Sequence, residues 1–141
     1  MSEIIDCNLN KLVHTYFLDS EKKLPLVIEA IAEVDLQIWA SNNQEFIESQ
    51  LLQYGALLFR NFTKFSSYDL ENLISTISGE SLEYKERSSP RSSVAGNIYT
   101  STEYPAEQAI PLHCENSYQE TWPMHIFFHC VTPASVGGET P

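Results

Sequence analysis

The sequence predicts an α+β fold in which helices come first and β-strands follow. Three observations predict it. Apolar residues recur at helical spacing in two segments, with Phe46, Ile47, Leu51 and Tyr54 in one and Leu70, Leu73, Ile74 and Ile77 in the other. Each segment starts at residues suited to capping a helix and ends at a glycine, Gly55 and Gly79. Beyond residue 88 that period gives way to β-favouring runs. Helices followed by successive strands suggest a β-sandwich or barrel core, and the sheet looks unfinished at Pro141.

The elements follow in order. Residues 1–23 form a variable N-terminal segment, and residues 24–141 carry the domain, with no repeat and no linker that would divide it. Leu24-Pro25-Leu26-Val27-Ile28 is short, apolar and β-branched, and suggests a strand. A helix begins near Ser41, Asn42 or Asn43 and stops at Gly55. Ala56-Leu57-Leu58-Phe59-Arg60 reads as a buried strand. The second helix starts near Ser66-Ser67 and ends at Gly79. Ser88 to Ser93 is a polar loop, Asn97 to Thr102 a weakly alternating strand, and Pro105 marks a turn. Ile126-Phe127-Phe128-His129-Cys130-Val131 has the clearest strand composition of the chain.

Composition narrows the function classes. A chain of 141 residues that is 43% apolar can bury one ordinary core. Eight basic against nineteen acidic residues give a net charge of −11, which repels phosphate backbones and anionic lipid. Nucleic acid and membrane surfaces are therefore poor partners. No apolar run approaches a membrane span, and the acidic opening Met1-Ser2-Glu3 lacks the basic start of a signal peptide, so the protein reads as cytoplasmic. Cys7, Cys114 and Cys130 have no C-x-x-C spacing, against a disulfide framework or zinc knuckle.

Chemistry concentrates near the C-terminus. His113-Cys114-Glu115 sets an imidazole and a carboxylate two positions apart, which an extended backbone directs to one face while Cys114 points away. That is two-thirds of the facial triad of two histidines and one carboxylate that holds non-haem ferrous iron. Gly137-Gly138-Glu139-Thr140 supplies a turn ending in a hydroxyl able to donate to a carboxylate. The other histidines replace the third ligand poorly. His14 lies in the variable segment, and on a strand His125 and His129 share a face roughly 13 Å apart, suited to packing or hydrogen bonding. Arg60, Arg87 and Arg91 take no assigned role.

The run Ile110-Pro111-Leu112-His113-Cys114-Glu115-Asn116-Ser117-Tyr118-Gln119, then Trp122-Pro123, Ile126-Phe127-Phe128, Pro133-Ala134 and Gly137-Gly138-Glu139-Thr140-Pro141, resembles the taurine dioxygenase (TauD/TfdA-like) superfamily. The similarity is closest to its clavaminate-synthase-like branch, in which the iron carboxylate is Glu. It extends upstream through Glu86 to Arg91, Gly96 to Pro105 and Gly55 to Phe62. The resemblance implies a double-stranded β-helix (jelly-roll) core, Fe(II), and 2-oxoglutarate as cosubstrate. It implies that His113 and Glu115 are iron ligands and that the Thr140 hydroxyl helps hold 2-oxoglutarate. Family members are about twice this length, and their second histidine ligand and 2-oxoglutarate-binding arginine lie beyond the position of Pro141. The expectation is thus the N-terminal part of a 2-oxoglutarate-dependent dioxygenase. Its substrate would be an amino acid, free or carrier-bound, or a similar small carboxylate in secondary metabolism. Two alternatives remain: a non-catalytic remnant or interaction module of the same fold, and a metal-binding protein using His125 and His129 with His113. Unpaired strand edges also predict self-association.

Overall fold

The computed structural model describes residues 12–63, 65–83, 91–101, 105, 108–114 and 117–136. They group into two compact units, Met1–Phe65 and Ser66–Pro141.

In the first unit three strands form one sheet in the order β1-β2-β3, with β1 Val13–Phe17, β2 Leu26–Ala30 and β3 Leu57–Arg60. β1 runs antiparallel to β2, with Val13 opposite Ala30 and Phe17 opposite Leu26. β3 runs parallel to β2, with Leu26 opposite Leu57. A parallel neighbour needs a crossover, and two helices provide it: α1 Leu36–Asn42 and α2 Gln44–Tyr54. β2 is central, so Leu26, Val27 and Ile28 are buried in succession. The strand expected at Ala56–Arg60 is present but only half-buried, because it lies at the sheet edge.

Asp35 starts α1 by accepting a hydrogen bond from the Ile38 N–H at 3.1 Å. Leu36, Trp39 and Ala40 then fall on one buried face. Asn43 separates the helices, and its side-chain amide donates to the Trp39 carbonyl at 2.7 Å. α2 ends where expected. Gly55 takes the left-handed conformation at φ 76° and its N–H closes on the Leu51 carbonyl at 2.8 Å. Trp39 is the hub of the core, with ring centroids 6.2 Å from Phe46, 6.2 Å from Phe59 and 5.6 Å from Phe62.

The second unit is built on α3, Leu70–Ser78, which buries Leu70, Leu73 and Ile74 and stops at Gly79. Ahead of it, the Asp69 carboxylate accepts from both the Ser66 N–H at 2.9 Å and the Ser66 hydroxyl at 2.6 Å. These two donors hold the Asp69 carboxyl below its ordinary 3.8. The lowered value adds stability above pH 3.8, which disappears as the pH falls through the folded-state value. Ser66→Ala is expected to lower the melting temperature at neutral pH and to leave the two proteins equal at the acid end of a melting series. Parallel melting curves at every pH would contradict this.

A short hairpin, β4 Ser93–Ala95 and β5 Ile98–Tyr99, completes the unit. At its tip Gly96 has φ +48°, and a Cβ there would press on the Glu71 carboxylate. The Asn97 N–H donates to that carboxylate at 3.2 Å. Only glycine meets both demands.

Three expectations change. Helices do not come first with strands following, since β1 and β2 precede α1 and β3 lies between α2 and α3. The strand expected over Asn97–Thr102 is confined to Ile98–Tyr99 among the described residues. Residues 126–131 form no strand at all. Exposure still alternates there, with Phe127 and His129 half-buried and Ile126, Phe128 and Cys130 exposed. The alternation follows the β-favouring composition, but no described strand offers a ladder, so the period is present without the pairing. The described residues thus form an α+β structure of three helices with a three-stranded and a two-stranded sheet. A jelly roll is not formed by them.

Candidate metal centre

His113 lies in an exposed irregular stretch that includes Pro111, rather than in the strand expected from its spacing to Glu115. Its Nδ1 is 2.8 Å from the Pro111 carbonyl oxygen. A carbonyl only accepts, so Nδ1 carries the proton in this contact and the lone pair of the neutral ring resides on Nε2. Metal-ligating histidines are commonly oriented in this manner by a backbone carbonyl. Pro111 sets that tautomer locally, two residues before the imidazole. A ring so oriented has the tautomer of a metal ligand, with the proton on Nδ1.

Glu115 and Thr140, the other residues carried over from the resemblance, lie outside the described residues, as does Arg87. Cys114 is an exposed free thiol. Among the described residues, no group of three or more His, Cys, Asp or Glu side chains is placed to hold a metal ion.

The remaining histidines have other work. His14, in β1, sits opposite Glu29 with Nε2 3.1 Å from its carboxylate, and the Asn61 side chain donates to the other Glu29 oxygen at 2.6 Å. The stretch 125–129 runs alongside α3 in the opposite direction. His129 Nδ1 lies 3.1 Å from the Ser67 hydroxyl before the helix, and His125 Nδ1 lies 2.8 Å from the Ser78 hydroxyl at its last residue. The trio of His113, His125 and His129 is therefore not assembled, and the two later histidines act as hydrogen-bonding groups.

Next to this stretch is an open cavity of about 300 Å³ lined by Ser117, Gln119, Trp122, Met124, His125 and Ile126, with Pro123 between. Of these residues, sequence reading gives a role only to His125, as a packing or hydrogen-bonding histidine or as one of a metal-binding trio. Nothing in their spacing marks a pocket.

The family model described as taurine catabolism dioxygenase TauD, TfdA family, matches residues 20–141. The chain belongs to this family. The TauD/TfdA chain is similar to the dapdiamide synthesis protein DdaC of Enterobacter agglomerans, at 43% identity over 95 residues. That alignment covers 67% of this chain and 29% of DdaC. It is also similar to a clavaminate synthase-like protein of Arabidopsis thaliana, at 35% identity over 98 residues, 70% of this chain and 30% of that protein. The matched part thus spans less than a third of either relative. Both support the clavaminate-synthase-like branch within the family. No helix among the described residues is long and apolar enough to cross a membrane.

Proposed function

We propose that this TauD/TfdA-family sequence serves an Fe(II)/2-oxoglutarate-dependent oxygenase that hydroxylates an amino acid, free or carrier-bound, or a similar small carboxylate. What carries the reading is His113. It stands in the H-x-E string of a family member, and its ring is oriented by the Pro111 carbonyl at 2.8 Å, as a metal ligand's would be. In this reading His113 and Glu115 hold ferrous iron, and the Thr140 hydroxyl donates to a carboxylate of 2-oxoglutarate. Such a charge-assisted hydrogen bond contributes roughly 1.5–3 kcal/mol. Iron with 2-oxoglutarate supplies, from dioxygen, the oxidising power to functionalise a C–H bond. The protein's own part is to fix the imidazole by its Nδ1–H, to supply the Glu115 carboxylate, and to orient the cosubstrate. A jelly-roll core built from the whole domain would bring these groups onto one face. The dapdiamide and clavaminate names of the two relatives favour a small amino-acid-like substrate in secondary metabolism. In the cell the reading goes with a cytoplasmic enzyme.

The test is a Co(II) titration followed by absorbance. His113→Ala and Glu115→Ala are each expected to abolish binding, whereas Cys114→Ser changes it little. Affinity in the parent chain of 141 residues should be weak, since it supplies two of the three ligands. Full binding by Glu115→Ala would remove the facial-triad reading.

A further inference from the structure

The geometry points to a ligand subsite in the cavity beside His125, which receives an uncharged, amide-bearing group held by the His125 imidazole and the Gln119 carboxamide against Trp122. The volume of about 300 Å³ is small, at the lower end for ligand pockets, and fits part of a metabolite better than a whole cofactor. Its lining is uncharged. In a chain of net charge −11, none of the described residues that line the cavity is a carboxylate, and none is a lysine or arginine. Neither the ammonium nor the carboxylate of a free amino acid would find an Asp, Glu, Lys or Arg counter-ion among these described residues, which suit a neutral group.

His125 is the oriented polar element. Its Nδ1 is engaged by the Ser78 hydroxyl at 2.8 Å, and the Phe127 ring meets it edge-on, with centroids 6.4 Å apart at 88°. Among the described residues no hydrogen bond engages Nε2. The role of Nε2, donor or acceptor, follows from which partner donates in the Ser78 contact. An amide carries both a donor and an acceptor and so matches either tautomer. The Gln119 carboxamide offers the same pair, and the exposed Trp122 and Met124 supply apolar surface for the flat amide and its substituents. Ser78 is a positioning residue in this arrangement, since it acts through His125. As a subsite for the oxygenase substrate the assignment rests on the function proposed above, but binding itself needs no iron.

The two tryptophans make the experiment direct. In metal-free, low-salt solution, N-acetyl-leucinamide is titrated into the 15N-labelled chain and the two indole N–H signals are followed, with Trp122→Phe identifying each. The Trp122 signal is expected to shift saturably while that of Trp39 stays fixed. His125→Ala should weaken binding about tenfold, the loss of one hydrogen bond, and Ser78→Ala several-fold. Zwitterionic leucine should bind at least tenfold more weakly than the neutral probe. An unshifted Gly96 amide signal in each variant, at the hairpin tip of the same unit, verifies that this unit is intact. The assignment is overturned by a Trp122 signal that does not shift, by unchanged affinity in His125→Ala or Ser78→Ala, or by leucine binding as tightly as its neutral derivative. Full Co(II) binding by Glu115→Ala in the preceding test would strike the oxygenase reading alone, whereas failure here would strike only the subsite.

Discussion

Trp39→Ala is expected to destabilise the protein by about 3–5 kcal/mol, the range for truncating a buried large aromatic. Trp39 is 4% exposed and its ring meets Phe46, Phe59 and Phe62, so its removal empties the centre from which α1, α2 and β3 are packed. A small unit has little stability in reserve. Trp39→Phe should cost far less. The buried indole N–H of Trp39 has no hydrogen-bond partner among the described residues, so its deletion orphans nothing and offsets part of the lost volume. Urea denaturation of the three proteins measures both effects. A loss of less than 1 kcal/mol in Trp39→Ala would show that the aromatic cluster is not the core.

The 141-residue chain is expected to self-associate, and more so as salt rises. Phe128 is 71% exposed, Met124 85% and Val136 91%, and the alternating stretch 126–130 has no described strand to pair with. Such segments template pairing with a second copy. The net charge of −11 opposes this at low ionic strength, but salt screens it over about 10 Å at 0.1 M. Phe128→Glu places a charge on the exposed face of that stretch and should return the chain toward monomer. Sedimentation velocity across a salt series tests this. A monomer at every salt concentration, or association undiminished in Phe128→Glu, would contradict the strand-edge account.

The comparison of sequence with structure separates local from non-local causes. α2, Gly55 and α3 stand where caps and apolar spacing put them, because those signals act within a few residues. β2 is likewise present, shifted to Leu26–Ala30. α1 was not foreseen. It is seven residues long, and its Asp35 cap and its buried face carry too short a period to stand out. β1 was not foreseen either. Val13–Phe17 becomes a strand through pairing with β2, a contact no window over its own residues contains. The opposite holds at 126–131, where strand composition is strong and no described strand pairs with it. At the site, His113 could be singled out by the chemistry of its string, but the orienting Pro111 carbonyl could not. The serine contacts of His125 and His129 join residues distant in sequence at opposite ends of α3, and only the folded chain brings them together.

The most direct test of the oxygenase account is succinate release from 2-oxoglutarate, with Fe(II), ascorbate and dioxygen. The protein assayed should be a chain of its relatives' length that contains these 141 residues. Residues that merely orient a metal ligand typically change activity by about 10–100-fold, so loss of a ligand itself should exceed that. The account predicts iron-dependent succinate release that falls more than about 100-fold in His113→Ala and in Glu115→Ala, while both variants keep the parent's melting temperature within a few degrees. Iron-dependent turnover that survives either substitution, or no turnover at all by the iron-loaded parent, would contradict it.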